Sequence, residues 1–326
     1  MHQKWQIHRG ANRILTLLFT LRLLTCTRSS IAMHRKTFLK KALLTAGSVT
    51  AGTVVAYTHN DIDELIPLPE EKSLGFNHHP NPITVKTANT ILHKADTRGH
   101  ADYGWLKTNY SFSFANYYNP ERMNFGVLRV LNDDFIAAAK GFNTHPHDNM
   151  EIITIPLEGT VEHKDSMGNS GTINVGEIQV MSAGTGITHS EFNHHKDQDL
   201  RLLQIWVFPN KPNVTPRYDQ IKLHGAKKNA LQQILSPNSS DDGVWIHQNA
   251  WFHLGTFDKD FNEEYVLRDP TQNGVYIFVI EGDVTVSGQS LNRRDGYGIW
   301  NTGSIAIQSH TASRVLLMEV PMNVRS

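Results

Sequence analysis

Two short segments carry most of the potential chemistry in this chain: His145-Pro146-His147 and, about forty residues later, His189-Ser190-Glu191. Side chains alternate between the two faces of a β-strand, so an H-x-H or H-x-E pair projects both of its ligands to one side. Two such strands set against each other bring three imidazoles and one carboxylate to a point. That nitrogen-rich set suits one divalent first-row transition metal, iron, zinc, nickel, manganese or copper, better than calcium or magnesium. Glu151 stands four residues after His147, shares its strand parity, and is a competing carboxylate. Glu191 is preferred because its i+2 relation to His189 does not need an undistorted strand across four residues.

Strands are what must position these groups, and from Ile83 onward the sequence supplies them. Gly126–Leu131, Glu151–Ile155, Gly171–Val175, Ile178–Met181 and Leu202–Phe208 are short runs rich in β-branched, aliphatic and aromatic residues, bounded by Gly, Pro, Asn or Asp. A proline-containing break at 209–216 is followed by a second series, Trp251–Phe257, Val275–Val286 and Ser313–Val320. Strands this short and frequent predict an all-β fold of sandwich or barrel type. The corners Leu157-Glu158-Gly159-Thr160-Val161 and Ile280-Glu281-Gly282-Asp283-Val284 repeat one pattern, so the chain reads as one barrel used twice, with the histidine pairs in the first copy only.

Composition narrows the rest. Lys+Arg and Asp+Glu both number 31 in 326 residues, so no basic face is advertised and nucleic acid is not an expected partner. The single cysteine, Cys26, lies outside the strand-rich region, which leaves neither disulfides nor thiolate ligands there; a metal must be held by nitrogen and oxygen.

The two halves resemble cupins, and the resemblance sharpens along Gly141–Glu151, Leu157-Glu158-Gly159, Glu162–Asn169 and Met181–Asn193, with Arg98–Lys107 and Ser111–Ala115 upstream. Together these segments are similar to the pirin family of bicupins over roughly residues 83–321. The resemblance implies two tandem jelly-roll barrels and a metal held by His145, His147, His189 and Glu191. It also implies an activity like that of quercetinases, in which a flavonol, a small aromatic substrate, is opened by O₂ with release of carbon monoxide. Glu191 would then be both ligand and catalytic base. The family also includes non-enzymatic metal-binding regulators that act through partner proteins, which is the alternative function. His163 is expected to hydrogen-bond near the pocket, and Phe142, Met181 and Phe192 to shape it.

The expected organisation is an extension over residues 1–59, a linker over 60–82, a metal-binding cupin over 83–208 and a second cupin without metal ligands over 209–326, in a monomer. Within the extension, Leu15–Leu24 is interrupted by Arg22 and too short to span a bilayer. Met33–Ala56 has a basic start, a weakly apolar middle and small residues at its end, the outline of an export signal. It resembles the twin-arginine type with Lys36 in place of the second arginine, and predicts export to the periplasm, the alternative being a cytoplasmic protein with a basic tail.

Overall fold

The computed structural model describes residues 87–223, 225 and 227–324, so the extension, the export signal and the linker lie outside the described residues. Among those described there are twenty-two β-strands, one 3-10 turn at Ala95–Thr97 and no α-helix, hence no helix long and apolar enough to cross a membrane.

The strands form two copies of one arrangement, each a seven-stranded sheet with a four-stranded sheet. In the first copy the long sheet runs Arg217–Lys222, Glu177–Ser182, Glu151–Glu158, Leu200–Val207, Leu128–Ile136, Leu106–Tyr110, Gly99–Asp102. Its short sheet is Gly141–His147, Ile187–Asn193, Thr160–Asp165, Ser170–Asn174. In the second copy the long sheet runs from Asn89–His93 through Gly296–Trp300, Asn273–Glu281, Ser313–Pro321, Trp251–Phe257 and Ala230–Ser236 to Val244–Trp245. The two copies make the chain a bicupin.

Sheet membership departs from the expected division at 208/209 in two places. Asn89–His93 pairs with Gly296–Trp300 of the second copy, and Arg217–Lys222 pairs with Glu177–Ser182 of the first. Each half therefore lends one strand to the other. An edge strand exposes unpaired backbone donors and acceptors, and the exchange covers one such edge on each long sheet.

Strand parity sorts the core. On Glu151–Glu158 and Leu200–Val207, residues Ile153, Ile155, Leu203 and Ile205 join Phe252, Tyr276, Phe278, Leu316 and Met318 of the second long sheet in one buried cluster. The two long sheets thus pack face to face. The alternate residues, Ile152, Thr154, Gln204 and Trp206, face into the first barrel. With both faces covered, these strands read in sequence as nearly continuous apolar runs.

The two barrel interiors differ in kind. Val275, Ile277, Val279, Val315 and Leu317 meet Tyr265, Val284, Val286, Ile305 and Ile307, so apolar side chains fill the second barrel. In the first, two small apolar clusters, one around Ile136 and Leu202 and the other around Ile152 and Met181, flank a polar band. That band holds Asn132, Asp134, Thr154, His163, His189, Glu191 and Gln204, all nine-tenths or more buried.

Candidate metal centre

The strand Gly141–His147 runs antiparallel to Ile187–Asn193 with His145 directly opposite His189. Between His189 and Glu191 the register shifts, so that Glu191 faces Phe142. Three residues on one strand then span two on the other, a β-bulge. The bulge lets Phe142 and His145, three apart, both line the same cavity. Gly141 is required beside it: a Cβ there would lie 2.3 Å from the Glu191 carbonyl oxygen and 2.4 Å from Phe192 Cα.

The three histidines meet at their Nε2 atoms, with His189 3.0 Å from His147 and 3.0 Å from His145. His145 Nδ1 lies 2.8 Å from the Asn143 carbonyl, which can only accept, so Nδ1 carries the proton and Nε2 presents its lone pair. Burial, reinforced by the neighbouring histidines, lowers His147 to about 4 and His189 to about 3. Neutral imidazoles converging this closely crowd lone pairs together, and a cation between them is what the donor set fits. Two nitrogens each about 2.1 Å from an ion lie about 3.0 Å apart at a right angle and about 3.4 Å apart at a tetrahedral angle. The observed separations fall in that range, so the three nitrogens can share one first-row ion.

Glu191 is 3% exposed, and its two carboxylate oxygens accept from Thr154 Oγ1 at 3.1 Å and Gln204 Nε2 at 2.9 Å. His189 is shared between two groups whose potential ligand atoms lie within 4.8 Å of one another, His145–His147–His189 and His163–His189–Glu191. His163 is fully buried, with Nε2 3.4 Å from an Asp165 oxygen and its ring 4.9 Å from that of Tyr218. It belongs to the cluster more closely than sequence reasoning placed it. Asp165 is itself fixed by Asn169 and the Met167 backbone N–H.

Glu151 points elsewhere. His147 ends one strand and Glu151 begins another, in the other sheet, so parity does not carry across the turn between them. Its parity is that of Ile153, toward the second barrel. There it accepts from Ser182 Oγ at 2.7 Å, and burial raises it to about 7 against the pull of Ser182, the His247 backbone N–H and Arg217. His194 pairs with Glu162 at the surface, His195 reaches Thr160, and His310 reaches Thr285. His100, His247 and His253 likewise belong to neither group.

The cluster forms one side of a cavity of about 400 Å³, within the range of small-molecule sites. Its apolar lining is largely aromatic: Trp105, Phe114, Phe142 and Trp206, with Ile152. Trp105 meets Phe142 edge-on at 5.4 Å, Trp206 meets Phe114 at 5.2 Å, and Trp206 also abuts His147 at 4.9 Å. Of the expected pocket residues only Phe142 lines it; Met181 lies in the apolar cluster with Ile152, Ala183 and Ile187, and Phe192 is not part of the lining. Sequence reasoning did not find Asn132, Asp134 and Gln204, which do line it. Their signal was a polar residue at interior parity in an otherwise apolar strand. Asp134 is raised to about 7, first by burial and then by the nearby carboxylates of Asp133 and Glu191, with the neighbouring Thr108 pulling the other way.

A bicupin with one open, histidine-lined barrel and one filled barrel defines the class. Residues 91–207 match the family model described as Pirin, and residues 233–320 match the one described as Quercetinase C-terminal cupin domain. Over 230 residues the chain is 45% identical to quercetin 2,3-dioxygenase of Escherichia coli K12, covering 71% of this chain and 98% of that protein. It is 37% identical over 226 residues to a pirin-like protein of Caulobacter vibrioides, covering 69% and 96% respectively. The crystal structure of the bacterial pirin YhhW from Escherichia coli in complex with nickel(II) matches with a TM-score of 0.68 at 43% identity, covering 72% of this chain and all of that one. The chain belongs to the pirin family.

Proposed function

We propose that this protein is a metal-dependent dioxygenase that opens the central ring of a flavonol such as quercetin with O₂ and releases carbon monoxide. The observation that carries this reading is the meeting of His145, His147 and His189 at Nε2, beside the Glu191 carboxylate, on one side of an aromatic-walled cavity. The likeness to the Escherichia coli protein named quercetin 2,3-dioxygenase supports it.

In this reading His145, His147, His189 and Glu191 hold one divalent ion, iron first among the candidates. That ion would act as a Lewis acid toward the flavonol's 3-hydroxyl and carbonyl oxygens and give its electrons a route to O₂. The protein's own groups do the remaining work. Glu191 takes the proton of the 3-hydroxyl, its carboxylate aimed by Thr154 and Gln204 so that the base is set before substrate enters. Trp105, Phe114, Phe142 and Trp206 hold the planar ring system and displace water from the reacting carbons. Both oxygen atoms of O₂ enter the ring-opened ester, and one ring carbon leaves as carbon monoxide.

The experiment is anaerobic titration of quercetin into the metal-loaded protein, followed by its visible absorption. The wild type should shift the flavonol band to that of the ionised form, and Glu191→Gln should bind without the shift. An unshifted band with wild type would remove Glu191 from the role of base.

A further inference from the structure

The cavity has a polar wall beside the metal site, touching it only where Gln204 holds Glu191. Asn132 and Asp134 lie two apart on Leu128–Ile136 and therefore face the same way, and Gln204 sits directly opposite Asn132 on the neighbouring strand, with Trp206 two residues further along. All four line the cavity. Gln204 gives its Nε2 to Glu191, which fixes the amide and leaves Oε1 with no partner. Asn132 Oδ1 and Trp206 Nε1 are likewise buried with no protein partner. Each of these atoms lacks a partner in the protein, and a ligand seated against the wall can supply one. The inventory sets the ligand's chemistry. Gln204 Oε1 accepts only, so the ring facing it must carry hydroxyl donors, and Trp206 donates only, so an oxygen acceptor must lie beside it. Asp134, held up to about 7, can accept or donate near neutral pH.

We propose that Asn132, Asp134 and Gln204 form a recognition wall for ring hydroxyls, making the site selective for polyhydroxylated flavonols over those bearing only the 3-hydroxyl. This rests on the flavonol reading above and adds residues to it that determine specificity. A site built to hydrogen-bond hydroxyls rejects an analogue lacking them far more strongly than an apolar pocket rejects an extra hydroxyl.

The test measures anaerobic dissociation constants of quercetin and 3-hydroxyflavone, by quenching of tryptophan fluorescence, for the metal-loaded wild type and for Asn132→Leu, Asp134→Leu and Asp134→Asn. Gln204 is left intact because it holds Glu191. Wild type should prefer quercetin by about 10-fold or more. Each leucine variant should lose most of that preference through weaker quercetin binding, with 3-hydroxyflavone binding unchanged or tighter, and the near-isosteric Asp134→Asn should retain it within about 3-fold. Melting curves establish that the variants fold, and if Asp134→Leu does not, Asn132→Leu decides. A folded leucine variant that keeps the wild-type preference overturns the wall while the flavonol reading stands. Wild type that binds neither compound removes both.

Discussion

Glu151→Gln separates the two carboxylates that sequence reasoning left in competition and puts a number on the difference. Glu151 is buried and raised from 4.5 to about 7. The folded state thus holds its proton more tightly than the unfolded chain does. Below about pH 4.5 both states are protonated and the group's contribution to stability is at its greatest. As pH rises the unfolded chain ionises first, and stability falls by about 1.4 kcal/mol per pH unit until the folded carboxyl ionises near 7, for a total of about 3 kcal/mol. Glutamine does not titrate, and its Oε1 still accepts from Ser182. Urea unfolding of the metal-free proteins at a series of pH values should therefore show the variant gaining about 3 kcal/mol on wild type between pH 4.5 and 8, with unchanged urea dependence. Metal content per chain, measured on the loaded proteins, should stay at the wild-type value. Parallel pH curves would refute the buried, proton-holding carboxyl, and loss of metal would restore Glu151 as a ligand.

Other perturbations test other links. His147→Ala should cut metal per chain at least tenfold under dilute-metal dialysis while leaving the unfolding free energy of the metal-free protein, from urea curves, within about 1 kcal/mol, because the ring is only partly buried. Gly141→Ala drives a Cβ into the backbone at Glu191 and Phe192, which cannot give way like a side chain. It should cost about 2 kcal/mol or more and weaken metal binding as the bulge is displaced, read by urea unfolding and metal titration. Asp133→Ala removes the carboxylate that buried Arg98 contacts and the nearer of the two that buried Arg294 contacts, Glu281 at 3.7 Å being the other. The expected loss is about 3–5 kcal/mol at pH 7, and a loss below 1 kcal/mol would show the arginines to be hydrated.

How much of this was legible in the sequence follows from what is local. The H-x-H and H-x-E pairs each lie within one strand, where period-two alternation holds, so the convergence of His145, His147 and His189 could be anticipated. The repeated Glu-Gly corners likewise pointed to two barrels. Glu151 shows where the argument stops, since parity counted from His147 passes through a turn at Asp148–Met150 into a different sheet. The exchange of Asn89–His93 and Arg217–Lys222 was invisible because edge pairing is a long-range choice and both segments are short and partly polar. The wall residues were missed for another reason. Asn132 and Asp134 sit in a Leu-Asn-Asp-Asp-Phe run, where sequence does not tell which aspartate enters the cavity and which, Asp133, meets Arg98 and Arg294. His163 is expected to hydrogen-bond near the pocket and does so, to Asp165 two residues along its own strand, but its nearness to His189 is not legible because it arises from pairing between Thr160–Asp165 and Ile187–Asn193.

If three imidazoles and Glu191 make this barrel a metal-dependent flavonol dioxygenase, the stoichiometry of turnover will show it. Protein stripped of metal and reloaded separately with iron, nickel, manganese or copper would be mixed with quercetin in air-saturated buffer, with O₂ uptake, quercetin bleaching and carbon monoxide measured together. One carbon monoxide released and one O₂ consumed per quercetin bleached are expected with at least one of these metals, and none above background in the stripped protein or in His147→Ala. Bleaching that proceeds equally without metal, or fully loaded protein that yields no carbon monoxide with any of the four, would contradict it.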